Sequence, residues 1–182
     1  MSLEIKYNTI CSVPSDIVNH LPRFVKMVDD LNAQHVIELG TRTGVSTLAW
    51  LYALEKTGGK LTSIDIDPAP PIGDYDHWNF IQSDDLDSEL LSSLNAADIV
   101  FIDTSHLYEQ TIKELYAYLP LVRDGGLLVL HDTELMIPET ATSSEPLYPV
   151  KKAVLEFIDE TRFDFVIHED CWGLAVIKVK KK

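Results

Sequence analysis

The sequence predicts an α/β protein built on a doubly wound, mostly parallel seven-stranded sheet that ends in an antiparallel C-terminal β-hairpin. Three observations carry that expectation. Short apolar runs rich in β-branched residues alternate with stretches of helical periodicity, the pattern of repeated strand–helix units. The first run, Val36 to Leu39, passes through Gly40-Thr41-Arg42-Thr43-Gly44 into a helical pattern, as in a strand, tight turn and helix N-terminus. The last two runs, 163–167 and 172–179, are separated only by a short acidic connection through Glu169-Asp170, the signal of a hairpin.

Taken in order, Pro14-Ser15-Asp16 reads as a helix start, and Ile17, Val18, Leu21, Phe24, Val25, Val28 and Leu31 form its apolar stripe. Residues 1–32 are expected to be an N-terminal helical segment packed on the sheet and leaning over a ligand site; Met1-Ser2-Leu3 is assigned no role. Strand 1 is 36–39, and the helix after it runs over 45–56 until Gly58-Gly59 caps it. Strand 2 is 61–66. The prolines at 68, 70 and 71 then exclude a regular helix and leave a loop. A brief third strand, 79–82, precedes a helix over 86–94. Strand 4 is the apolar run 98–103, followed by a helix over 107–119 that Pro120 stops, and by Gly125-Gly126. Strand 5 is 127–130. Residues 134–149, with three prolines, read as a variable substrate loop, and 150–160 as the last helix. The whole is expected to be one domain, 1–182.

An apolar content of 46% and a charged content of 24% are ordinary for a soluble globular chain. No apolar run approaches the roughly 18 residues of a membrane span, and the N-terminus lacks a signal-peptide core, so a cytoplasmic protein is expected. Cys11 and Cys171 form no disulfide framework or metal spacing. The formal charge of −14 repels phosphate backbones and argues against nucleic acid as a partner. A small-molecule acceptor is the expected partner; a homo-oligomer remains open.

In sheets of this kind ligands bind outside the carboxyl ends of the strands. Glu38 lies in strand 1, Asp65 ends strand 2, Asp84 and Asp85 follow strand 3, Asp103 ends strand 4, and His131-Asp132 follow strand 5. Asp65, 25 residues after Gly40, suits the hydroxyls of a ribose and would repel a 2′-phosphate. Asp84 and Asp85 are placed to meet an adenine amino group.

The segments Glu38-Leu39-Gly40 to Gly44, Ser63-Ile64-Asp65, Asp98 to Asp103 and Gly125-Gly126 resemble the class I S-adenosylmethionine-dependent methyltransferases, whose sheet is Rossmann-like. Ile102-Asp103-Thr104-Ser105-His106-Leu107-Tyr108-Glu109 and Gly125 to Asp132 narrow the resemblance to small-molecule O-methyltransferases of the family 24 type. Arg42 stands where the general pattern has its middle glycine. The resemblance implies S-adenosylmethionine as cofactor, lined by Glu38, Gly40, Thr41, Arg42, Gly44, Ser46, Asp65, Asp84, Asp85 and Asp103; Arg42 is a candidate partner for the methionine carboxylate, with an exposed loop arginine as the equal alternative. A sulfonium cation suits an acid-lined pocket, and a phosphate-free cofactor needs no P-loop lysine.

Deprotonating a hydroxyl acceptor needs a base. His106 suits this chemically, since imidazole titrates near neutrality, with Asp103 as the second catalytic residue. Metal-dependent members of the resembling family hold their ion at the positions of Asp103, His131 and Asp132. Two carboxylates and an imidazole are compatible with Mg²⁺, Mn²⁺, Fe²⁺ or Zn²⁺, and a metal-free site is equally open. Helix capping is the alternative role for His106 and for Asp132, Trp78 reads as a core tryptophan before a residue stacking on adenine, and Tyr108 and Glu109 are candidates to line the site. Two rival functions remain: a binding protein that has lost catalysis, and a short-chain dehydrogenase using Tyr148-x-x-x-Lys152 and NAD, which Pro149 and the closing hairpin disfavour.

Overall fold

The computed structural model describes residues 1–137 and 147–181. Seven strands form one sheet in the order β3-β2-β1-β4-β5-β7-β6. They are β1 (His35–Leu39), β2 (Lys60–Asp65), β3 (Trp78–Gln82), β4 (Ala97–Ile102), β5 (Val122–His131), β6 (Asp164–His168) and β7 (Leu174–Lys178). The pairings among β1 to β5 are parallel, while β7 runs antiparallel to both β5 and β6. The expected sheet and closing hairpin are therefore present. The order reverses between β1 and β4, so the crevice at their carboxyl ends is the ligand position that this topology creates.

Alternation along each strand divides the core. Val36, Leu61, Ile99, Phe101 and Val129 face one layer, with α1 (Leu3–Cys11), α2 (Leu21–Leu31) and α3 (Val45–Thr57). Ile37, Leu39, Ile64, Val100, Ile102 and Leu128 face the other, with α4 (Ser88–Ser93), α5 (Tyr108–Tyr118) and α6 (Pro149–Thr161). Both faces are covered, which is why the central strands read as unbroken apolar runs. Phe24, Trp50 and Phe101 cluster in the first layer, with the Phe24 and Trp50 rings stacked at 4.3 Å.

The N-terminal segment departs from expectation. The helix expected to begin at 14–16 begins at Leu21, after a 3₁₀ turn at Val18–His20, and a separate helix, α1, precedes it. Of the expected stripe, Ile17, Leu21, Phe24 and Val28 are buried, while Val18, Val25 and Leu31 are only half-buried. Helix α1 is short, and of its residues only Leu3 is buried. It is held by tertiary contacts: Tyr7 stacks on Tyr52 at 4.3 Å, and Lys6 Nζ donates to Ile72 O and Tyr75 Oη, each at 2.6 Å. Residues 12–17 are left as a strap between the two helices. Strand β5 is longer than expected because Gly125 and Gly126 lie inside it. A Cβ on Gly126 would stand 2.6 Å from Asp98 O, and the β4–β5 register shifts there. The proline-rich stretch 68–71 is a loop, as expected. Of the substrate loop 134–149, residues 138–146 lie outside the described residues. Among the described residues no helix is long and apolar enough to cross a membrane.

Gly40 decides how closely the ends of β1 and β4 approach. It sits at φ +83°, and a Cβ there would lie 1.9 Å from the Asp103 carbonyl oxygen, with its carbon at 2.9 Å. Backbone cannot yield as a side chain would. Gly40→Ala is therefore expected to destabilise by about 2 kcal/mol or more and lower Tm by roughly 5 °C or more in thermal denaturation; an unchanged Tm would show that the β1–β4 approach is not required.

Candidate active site

The first loop is held from beneath by two acids. Glu38 is fully buried, and its carboxylate accepts hydrogen bonds from Ser46 Oγ at 2.6 Å, Thr47 Oγ1 at 2.9 Å and Ser63 Oγ at 2.6 Å. Trp78 Nε1 donates to Ser63 Oγ at 3.0 Å and extends the chain of bonds to β3. Burial raises the Glu38 carboxyl and the three hydroxyls pull it back, leaving it pushed up to about 7. Asp65 Oδ2 accepts from Thr41 N at 2.7 Å, Thr41 Oγ1 at 2.9 Å and Arg42 N at 3.2 Å, and Oδ1 accepts from Asp67 N at 2.9 Å. Burial alone would raise this carboxyl; the backbone and hydroxyl donors outweigh it and hold it low. Gly44, at φ +83°, admits the proline loop, since a Cβ would stand 2.5 Å from Ile72 Cγ2.

Past the ends of β4 and β5 lies a charged knot. His106 Nε2 is 2.8 Å from Asp132 Oδ2 and 3.2 Å from Asp103 Oδ1. His131 Nδ1 lies 3.2 Å from Asp132 Oδ2 and 3.6 Å from Asp103 Oδ1. Its other nitrogen, Nε2, faces two carbonyls, Cys171 O at 3.0 Å and Asp16 O at 3.3 Å. Carbonyls only accept, so Nε2 carries a proton and Nδ1 aims at the two carboxylates. Burial opposes charge on both imidazoles, but the two carboxylates outweigh it and push His106 up to about 9 and His131 up to about 10. The Asp103 and Asp132 carboxyls are raised by burial and lowered further by the histidines, ending below their ordinary range. His106 and Asp132 also have left-handed backbones, φ 59° and 62°, strain of a kind that clusters at working sites. The helix-capping alternative does not hold: α5 has Leu107 at its N-cap, and β5 leads into a turn rather than a helix.

These groups open onto a cleft of about 1060 Å³. Gly40, Thr41, Arg42, Ser46, Asp65, Asp84, Asp85, Asp103, His106 and Asp132 line it. Glu38 and Gly44 do not: the first supports the loop from below, and the second faces the proline loop. His131 lies behind the wall, 3% exposed. Asp85 is pushed up to about 8 by burial and by the neighbouring Glu114, and Gln110 Nε2 donates to both acids at 3.1 and 2.9 Å. Trp78 is spent on Ser63, and Tyr108 donates to Glu156 on α6, so neither is among the lining residues. Tyr148 and Lys152 border a separate, shallow depression on α6. The sequence reading missed Ser15, Asp16, Gln110 and Trp172 as lining residues. Trp172 reaches the cleft because Cys171, Trp172 and Gly173 all have positive φ, which sequence periodicity does not signal.

A protein-family model described as a methyltransferase domain (family 24) matches residues 37–133, more than half of the chain. The chain belongs to this family of class I S-adenosylmethionine-dependent methyltransferases. No curated protein matches it in sequence. Among solved structures it is similar to cofactor-bound Rv0187 from MTB, at 16% identity and a TM-score of 0.75, covering 99% of this chain and 90% of that one. A Staphylococcus aureus protein described as a caffeoyl-CoA O-methyltransferase gives 16% identity and a TM-score of 0.72, over 98% and 92% of the two chains. MycE from the mycinamycin biosynthetic pathway, in complex with Mg, S-adenosylhomocysteine and mycinamycin VI, gives 21% and 0.70, over 91% of this chain and 49% of that one. At these identities the likeness is one of fold.

The raised Glu38 has a consequence for stability. A carboxyl at 4.5 when unfolded and about 7 when folded contributes stability that is fully present below pH 4.5 and lost as pH rises through 7. Between pH 5 and 7.5 the wild type should therefore lose stability relative to Glu38→Gln, by at most on the order of 3 kcal/mol. Parallel Tm–pH profiles of the two proteins would contradict this.

Proposed function

We propose that the protein transfers the methyl group of S-adenosylmethionine to a hydroxyl oxygen of a small molecule. The observation that carries this reading is the His106–Asp103–Asp132 cluster opening onto the same cleft as the Gly40–Gly44 loop. In that reading Asp65, Asp84 and Asp85 face the adenosine, and the acids around the cleft favour the sulfonium cation. Asp103 and Asp132 fix the His106 ring, and His106 takes the proton of the acceptor hydroxyl in its neutral form, whose share grows as pH rises toward about 9. The oxygen attacks the methyl carbon in line, and the carbon–sulfur bond breaks with its electron pair going to sulfur, leaving a neutral thioether. Holding both reactants in the cleft supplies much of the rate.

The donor set also fits a divalent cation. The Asp103, His131 and Asp132 ligand atoms lie within 4.8 Å of one another, and His131 Nδ1 and Asp132 Oδ1 are buried without a hydrogen-bond partner. With Nε2 committed to carbonyls, Nδ1 and the two carboxylates can face each other only across a cation, a proton or a metal ion. A bound metal ion would supply positive charge that lowers the acceptor hydroxyl pKa and relieves the two carboxylates' hold on the His106 proton. The fold-level likeness to MycE in complex with Mg supports this assignment.

The test is transfer of labelled methyl from S-adenosylmethionine to a panel of catechol-type phenols and sugars, with Mg²⁺, Mn²⁺ or EDTA. His106→Ala is expected to lower the rate about 10²- to 10⁴-fold while S-adenosylhomocysteine still binds. Binding without transfer to any acceptor would favour a protein that has kept the site and lost catalysis. Mn²⁺ should raise the Tm of the wild type and not that of Asp132→Ala; an equal rise in both would remove the metal from the account.

A further inference from the structure

Behind the cleft wall beyond β3 lies a buried carboxyl that the proposed reaction does not use. Glu114, on α5, is fully buried. Its Oε1 accepts from Thr104 Oγ1 at 2.7 Å and Gln110 Nε2 at 2.9 Å. Its Oε2 is buried and receives no N–H or hydroxyl donor among the described residues. Asp85, in the loop after β3, lies within hydrogen-bond reach of Glu114. Gln110 Nε2 also donates to Asp85 Oδ1 at 3.1 Å, and Tyr118 Oη donates to Asp85 O at 2.7 Å. Three residues of α5 thus converge on one loop, and two of the groups that meet there are acids.

We propose that Glu114 is a positioning residue: it shares one proton with Asp85, and that proton clamps the loop after β3 onto α5 and so sets the adenosine-facing wall of the cleft. The inference rests on the adenosine reading of that wall and goes beyond it to a residue that does not line the cleft and that no motif marks. Two neighbouring carboxylates out of water repel, and a proton between them turns the repulsion into a hydrogen bond. It supplies the donor that Glu114 Oε2 otherwise lacks, and a buried polar atom left without one is costly.

The surrounding charges place the proton on Asp85. Burial raises both carboxyls, and Glu114 beside it helps push Asp85 up to about 8. Asp84 and Asp65 face Asp85 and add to that rise. Glu114 is drawn the other way by the Thr104 and Gln110 donors and by His106, so it is the better acceptor. Loss of the proton leaves two carboxylates sharing one amide N–H. Glu114 cannot reach water, whereas the half-buried Asp85 can, and the loop moves with it. Glu114 also holds Thr104, next to Asp103, so the clamp joins the loops after β3 and β4 to the same helix.

Two measurements test it. The first is titration calorimetry with 5′-methylthioadenosine, which keeps the adenosine and has no group that titrates near neutrality. Wild-type affinity should fall about 10-fold or more between pH 7 and 9.5, since loss of one required proton weakens binding by up to about tenfold per pH unit. Glu114→Gln puts a permanent N–H where the proton lay and should change less than about threefold over that range, and Asp85→Asn should be as flat. The second needs no ligand. A proton released near pH 3.8 in the unfolded chain and at about 8 in the folded one gives stability that is lost as pH rises through that window. The Tm of the wild type should therefore fall relative to that of Glu114→Gln between pH 5 and 8. Parallel Tm–pH profiles overturn the shared proton. An equal alkaline loss of affinity in wild type and both variants, or none in the wild type, overturns its role in the cleft wall. Wild type that binds 5′-methylthioadenosine at no pH would overturn the adenosine reading instead, and the Tm comparison would still decide whether the pair shares a proton.

Discussion

A carboxylate with no access to water lies under the first turn of the sheet, and the geometry of the cleft depends on it. Glu38 gathers Ser46 and Thr47 from the first turn of α3 and Ser63 from β2. Removing the carboxylate would strand three buried hydroxyls, and burying it without them would carry the desolvation cost of an unpaired charge. Asp65 completes the arrangement from the next strand by binding the backbone of Thr41 and Arg42. The loop is therefore set in place by the protein's own acids, and Gly40 lets it lie against the Asp103 carbonyl, where any side chain would collide.

The opposite end of the cleft obeys a different balance. Asp103 and Asp132 share His106 and His131, so two negative groups are offset by two groups able to become positive. Carbonyls at Cys171 and Asp16 fix the orientation of the His131 ring. The turn that supplies Cys171 is itself pinned: Glu134 N donates to Trp172 O at 2.7 Å, and a Cβ on Gly173 would stand 2.2 Å from Thr133 Oγ1. The β6–β7 hairpin, which on topology alone only closes the sheet, thus carries part of the wall of the site.

Much of this is legible in the sequence because buried parallel strands are continuous apolar runs and the acids that end them are easily seen. What an acid does at a strand end is not legible. Glu38 and Asp65 look alike in the chain, yet one is enclosed by three hydroxyls from two separate stretches while the other borders the cleft. Helix α1 escaped because its stability comes from Tyr52, Ile72 and Tyr75, far away in sequence. Pro14-Ser15-Asp16 carries the signal of a helix start, but the residues form a strap tied to His131 and Arg42, contacts that only the folded chain creates. Trp172 entered the cleft through left-handed backbone at non-glycine residues, which periodicity does not register.

The central claim is that the strand ends assemble an adenosyl–thioether site and not a dinucleotide site. Thermal denaturation with S-adenosylhomocysteine and, separately, with NAD tests it most directly. At about 100 times its dissociation constant, S-adenosylhomocysteine should add roughly 2.7 kcal/mol, a rise of about 5–10 °C for a chain of this size, and NAD should add nothing. A rise with NAD alone, or no rise with either, would contradict the account.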